Sequence, residues 1–88
     1  MYTYEIIPSL QRTLNKLSKK DKKMYEAILN KIEEIIQNPL HYKPLRHDLA
    51  GERRVHIMKS FVLKFEIIES AKLVRFIFFG HHDEAYQK

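Results

Sequence analysis

The sequence predicts an α+β fold: an N-terminal strand, an antiparallel two-helix pair packed on one face of an antiparallel sheet, and a C-terminal three-strand meander. Three observations carry this expectation. Apolar residues recur with a helical period between Ser9 and Gln37. Three β-rich runs, Arg53–Met58, Phe61–Ile68 and Lys72–Phe79, are separated only by Lys59-Ser60 and by Glu69-Ser70-Ala71, gaps that admit hairpins and no crossover. With 88 residues there is room for one domain, spanning residues 1–88.

Taken in order, Tyr2 to Ile7 is rich in β-formers, and Pro8, which cannot donate to a ladder, closes it. Ser9 is placed to cap a helix whose Leu10, Leu14 and Leu17 fall on one face. Ser18 followed by Asp21 resembles a capping box and marks a break between two helices. The second helix carries a stripe of Met24, Ile28, Ile32 and Ile35, widened by Tyr25, Leu29 and Ile36, and Asn38-Pro39 ends it. Leu40 to Gly51 has no steady period and reads as a connection from the helical layer to the sheet.

Within the first meander strand, Val55 and Ile57 alternate with Arg54, His56 and Met58, so packing the aliphatic pair on the helices turns Arg54 and His56 outward. In the third strand, Leu73 to Phe79 is apolar except for Arg75, which implies a central place in the sheet or burial on both faces. Gly80 ends it, and His81 to Lys88 is a polar tail with the makings of one helical turn carrying Tyr86.

Composition excludes several classes. There is no cysteine, hence no disulfide framework, thiolate nucleophile or cysteine-based zinc site. No apolar run approaches the roughly 18 residues of a membrane span, and the N-terminus lacks signal-peptide features, so the expectation is a cytoplasmic protein without membrane contact. Sixteen Lys and Arg against eleven Asp and Glu give +5 and a pI near 9.5, which favours polyanions such as nucleic acid.

The chemistry-bearing groups gather in LRHDLAGERRVHIMKSFVLKFEIIESAKLVRFIFFGHHDEAY, which holds four of the five histidines. Histidine is the side chain that serves as acid or base near neutral pH. Cleaving RNA without a metal needs a base for the 2′-hydroxyl, an acid for the leaving 5′ oxygen, and cations on the phosphate. His47, His56 and His82 come from the connection, the first meander strand and the end of the last, three places a meander can bring together. Arg46, Arg53, Arg54, Lys64 and His81 are candidate phosphate or substrate contacts, with only Arg54 of the adjacent arginine pair sharing a face with His56. A zinc site from His47, His56, His81, His82 and Asp83 is the rival chemistry, but its spacing matches no standard set, so no metal and no cofactor are expected. Lys19, Lys20, Lys22 and Lys23 form a basic cluster that reads equally as solvated surface. Tyr86 is suited to stack on a base or to cover a core edge.

The element order, with the run LRHDLAG and then RRVHI, FVLKF and LVRFIFFGHHDEAY, resembles the RelE/ParE superfamily of bacterial and archaeal toxins over nearly the whole chain. The similarity leans toward its RelE and YafQ branches. That resemblance implies a toxin that cuts mRNA in the ribosomal A site by metal-independent attack of the 2′-hydroxyl. It also implies a cognate antitoxin, with the free toxin a monomer and the complex a hetero-oligomer. His47, His56 and His82 fall on histidines of the YafQ-like pattern, Tyr86 on its aromatic and on a RelE tyrosine, and Arg54 on a RelE lysine. Two positions depart: Ser60 or its neighbours stand where YafQ has an aspartate, and Val62 stands where RelE has an arginine for the scissile phosphate. Arg54, Lys64 and Arg46 are the available replacements for that charge. The alternative implied by the same superfamily is a ParE-like toxin that docks on DNA gyrase and has no nuclease site.

Overall fold

The structure is a computed structural model that describes residues 1–42 and 52–85. Its elements are β1 (Thr3–Ile6), α1 (Pro8–Lys20), α2 (Lys22–Gln37), β2 (Glu52–Ile57), β3 (Phe61–Ile68), β4 (Leu73–His81) and a single helical turn, α3 (His82–Ala85). The four strands form one sheet in the order β1-β4-β3-β2. The meander is as expected: β2 pairs antiparallel with β3, and β3 with β4. The most apolar strand, β4, is interior, between β1 and β3.

One feature of the sheet differs from the expectation of a wholly antiparallel arrangement. β1 runs parallel to β4, with Thr3 opposite Leu73 and Ile6 opposite Phe76. Hairpin gaps force reversal, whereas β1 is followed by two helices, and so long a connection leaves strand direction free. Because β1 ends at Ile6, only Leu73–Phe76 of β4 is paired on that side.

Helix ends also correct the sequence reading. α1 begins two residues earlier than a cap at Ser9 implies: Pro8 is its first residue, where a missing N–H costs nothing, and Ile7 precedes it with no side-chain cap. The break between helices is made by Asp21, not Ser18. Its carboxylate accepts the Met24 N–H at 3.1 Å and satisfies a first-turn donor of α2. Ser18 Oγ instead donates to the Asn15 carbonyl within α1. Asn38 ends α2, as expected.

Packing follows from the two periods. Leu10 and Leu14 of α1, and Met24, Ile28, Ile32, Ile35 and Ile36 of α2, share one core with Val55, Ile57, Leu63, Phe65, Val74 and Phe76 of the sheet. Leu29 lies at the rim and is 38% exposed, so the apolar stripe of α2 is narrower than its sequence suggests. Phe65 and Phe76 are wholly buried, each stabilising the fold by roughly 1.5–3 kcal/mol through removal of apolar area from water. Among the described residues no helix is long and apolar enough to cross a membrane.

The register between β3 and β4 slips once. Lys64 faces Phe78 while Phe65 faces Phe76, leaving Ile77 as an extra residue. This bulge reverses the alternation of β4: Val74 and Phe76 point to the helices and Arg75 away, but beyond Ile77 it is Phe79 that shares the helix-facing column with Leu63, and Phe78 that points away.

Backbone and side-chain ties fasten the ends of the helical layer. The Tyr2 N–H donates to the Ile36 carbonyl at 3.1 Å, joining β1 to the end of α2. Beyond α2, Tyr42 donates from its hydroxyl to Glu34 at 2.9 Å, and its ring meets Phe65 edge-on. Its carbonyl accepts from Arg53 Nε at 2.7 Å.

Two outcomes are expected. Asp21→Ala should cost about 1 kcal/mol in urea unfolding, the usual loss for a side-chain cap. Burial, then the Glu34 carboxylate, pushes the Tyr42 phenol from 10.0 up to about 12. A raised phenol favours the folded state only while neutral, so that contribution is complete below pH 10 and is lost as pH rises through about 12. Thermal melts between these pH values should show a decline that Tyr42→Phe removes.

Candidate functional site

The face of the sheet away from α1 and α2 carries the polar residues of the meander, arranged by register in rows across the strands. His56, Val62 and Gly80 form one row; Arg54, Lys64 and Phe78 form the next; Glu52, Glu66, Arg75 and Glu5 form a third. With strands about 4.8 Å apart, the first two rows make a patch roughly 10 Å across.

His82 enters this patch from the end of β4. Its ring stacks on that of His56 with centroids 5.6 Å apart and planes 21° from parallel. The backbone holds it there: the His82 N–H donates to the Ser60 carbonyl at 2.7 Å, tying α3 to the β2–β3 turn. That turn places both Met58 (φ 49°) and Lys59 (φ 67°) in the left-handed region, which disfavours non-glycine residues by roughly 1–2 kcal/mol each. The turn thus spends local strain beside the two histidines.

Val62 lies between His56 and Gly80 in register and is wholly buried although it is on the open face. It is the cross-strand neighbour of His56. Phe78 is half-buried, and Lys64 Nζ sits over its ring at 5.3 Å from the centroid. The ring tip reaches Gly80: a Cβ built there would stand 2.7 Å from Phe78 Cζ.

The third row is electrostatically closed. Arg75 Nε donates to Glu5 at 2.7 Å and Nη1 to Glu66 at 2.9 Å. The hydrogen bond to Glu5, then that to Glu66, raises the guanidinium's already high pKa. Arg75, prominent in the sequence among the basic groups, is therefore committed to two carboxylates. The open face runs from cations and imidazoles on one side to acidic groups on the other.

The residues singled out from sequence separate as follows. His56, His82, Arg54 and Lys64 come together on the open face. Arg53 is on the opposite side, in the helix-facing column with Val55 and Ile57, bonded to the Tyr42 carbonyl. His81 pairs in register with Phe61 and meets its ring edge-on at 5.7 Å, away from the His56–His82 stack. Its Nδ1 accepts the Asp83 N–H at 3.3 Å. Arg46, His47 and Tyr86 lie outside the described residues. Among the described residues no three His, Asp or Glu side chains gather as a metal-binding group. Phe78 was missed because strict alternation puts it inward with Phe76; only the bulge turns it out. A pocket of about 160 Å³ lies at the rim, between Ser9, Leu10 and Thr13 of α1 and Ile77, Phe78 and Phe79, where β1 has ended.

A basic, imidazole-bearing meander backed by a helical hairpin is a small α+β fold whose class comparison with known proteins supplies. The family model described as the ParE toxin of type II toxin–antitoxin systems, parDE, matches residues 4–86. A Methanocaldococcus jannaschii protein designated candidate toxin RelE4 is 59% identical over 88 residues, covering 100% of this chain and 94% of that one. Among solved structures, that of the RelBE2 toxin–antitoxin complex from Mycobacterium tuberculosis superposes with a TM-score of 0.74 at 24% identity, covering 92% of this chain and 98% of that one. YafQ from E. coli gives a TM-score of 0.73 at 20% identity, covering 99% and 100%. The chain belongs to the ParE toxin family of type II toxin–antitoxin systems, within the RelE/ParE superfamily.

Gly80→Ala should displace the Phe78 ring, since the added methyl takes the place of its tip. The Lys64 ε-methylene protons, held over that ring, should lose their upfield shift in NMR spectra while the core methyls keep theirs.

Proposed function

We propose that this toxin is a ribosome-dependent, metal-independent endoribonuclease that stops translation by cutting mRNA. The observation that supports it is the pairing of two imidazoles, His56 and His82, beside Arg54 and Lys64 on one open sheet face. One imidazole takes the proton of the RNA 2′-hydroxyl as its oxygen attacks phosphorus. The other protonates the departing 5′ oxygen, so the products are a 2′,3′-cyclic phosphate and a 5′-hydroxyl end. Arg54 and Lys64 balance the negative charge that grows on the phosphate, in place of the arginine that Val62 replaces. The roles read from sequence for Arg46, His47 and Tyr86 are part of the same proposal, while the placement of Arg53 and His81 gives them structural work in its stead.

Dependence on the ribosome fits the openness of the site. His56 and His82 are exposed on a sheet face, whereas enzymes that orient a ligand alone usually enclose most of it. A surface of this kind acts best on a strand that a larger body holds in place. The partners in this reading are the ribosome with its mRNA and, in the resting cell, a cognate antitoxin in the cytoplasm, as in the Mycobacterium tuberculosis toxin–antitoxin complex.

The family match favours one other reading, a toxin that inhibits DNA gyrase without cutting RNA. Primer extension on a defined mRNA with purified 70S ribosomes separates the two. New 3′ ends at A-site codons, present only with ribosomes, are expected. The double substitution His56→Ala, His82→Ala should lower that cleavage at least about 100-fold, the usual scale for loss of acid–base catalysis, with an unchanged circular dichroism spectrum. Intact mRNA together with blocked gyrase supercoiling would sink the nuclease reading.

A further inference from the structure

We propose that Phe78 is the stacking platform for one nucleobase of single-stranded RNA, and that Lys64 covers the ring only until RNA draws its ammonium to a phosphate. This deepens the nuclease reading and rests on the open face being the RNA-binding surface.

Three features of the ring point to this role. The bulge at Ile77 turns Phe78 out of the core, and bulges beside functional sites commonly serve to re-aim one side chain. The core does not need it there, because Phe76 and Phe79 already fill the helix-facing columns on either side of Ile77. Gly80 supplies the room into which the ring tip reaches, in space that any Cβ would occupy. The ring thus lies in the same register row as Lys64 and Arg54, with Lys64 Nζ 5.3 Å above it, and the neighbouring row holds His56.

Magnitudes decide what happens to Lys64 when RNA arrives. A cation–π contact at an exposed site is worth roughly two- to fivefold in an equilibrium. A base stacked on an aromatic side chain is worth roughly five- to 160-fold. At the ring itself, exchange of ammonium for base is therefore favourable, and a phosphate bound beside Arg54 lies within reach of Lys64 in the same register row. The acidic row of Glu66, Arg75 and Glu5 lies beyond Phe78 along β4, which directs the sugar–phosphate chain toward His56 and away from β1.

Binding of a fluorescent 2′-O-methyl hexa-adenylate, which lacks the attacking hydroxyl, tests the proposal by anisotropy. Phe78→Leu keeps an apolar side chain and Phe78→Trp keeps an aromatic one, and thermal melts verify that both variants fold. Phe78→Leu should weaken binding about tenfold, within the range for one stacked base, and Phe78→Trp should retain it. An abasic residue at one position of the oligomer should weaken wild-type binding by a similar factor and have little further effect on Phe78→Leu. Wild-type affinity in Phe78→Leu, additive losses from the two changes, or no binding by the wild-type protein would each overturn the proposal. The ribosomal cleavage assay keeps the two readings apart. Cleavage by the wild-type protein without coupling between Phe78 and a base removes the platform alone; coupling without cleavage removes the nuclease and leaves the platform.

Discussion

One extra residue in β4 sets the character of both faces of the sheet. Before Ile77 the strand gives Val74 and Phe76 to the core; after it the phase is reversed, and Phe79 continues the core while Phe78 and Gly80 face outward. Without the slip, Phe78 would be directed at the helices and Phe79 at the imidazoles, and Gly80 would leave its place beside Val62. The bulge is tolerated because it falls just past Phe76, where β1 no longer pairs with β4 and one edge of the strand is released from its ladder.

The polar groups on the open face are sorted with the same economy. Arg75 holds Glu5 of β1 and Glu66 of β3 together across β4. All three side chains are a third to a half exposed, so screening leaves such pairs only a modest net stabilisation. Their larger effect is on charge distribution, for Arg75 is matched to two carboxylates at the end of the face away from Arg54 and Lys64. A polyanion meets attraction on one side of the sheet and carboxylates on the other.

His56 and His82 are 26 residues apart in the chain, and their stack depends on a hairpin and a backbone hydrogen bond. The β2–β3 turn presents the Ser60 carbonyl, the His82 N–H donates to it, and the imidazole is brought onto that of His56. The two left-handed residues of that turn are neither glycine nor asparagine, and the strain they carry is offset by the contacts that the turn fixes.

The sequence by itself determined the elements and their faces. Period 3.6 marked the helical hairpin, period 2 put Val55 and Ile57 inward and His56 and Arg54 outward, and hairpin-length gaps dictated the meander; each is a local property, written in neighbouring side chains. It also carried the family resemblance. Only the tertiary structure decided the rest. The parallel placement of β1 depends on how two helices return the chain, and the cap at Asp21 on which donor lacks a partner. Arg53 and His81 found partners in the Tyr42 carbonyl and the Phe61 ring, and Arg75, although on the open face, is taken up by Glu5 and Glu66, partners that lie elsewhere in the chain. The outward turn of Phe78 came from a slip between two strands, and a slip belongs to the pair: no single strand's alternation records where its neighbour takes one residue fewer.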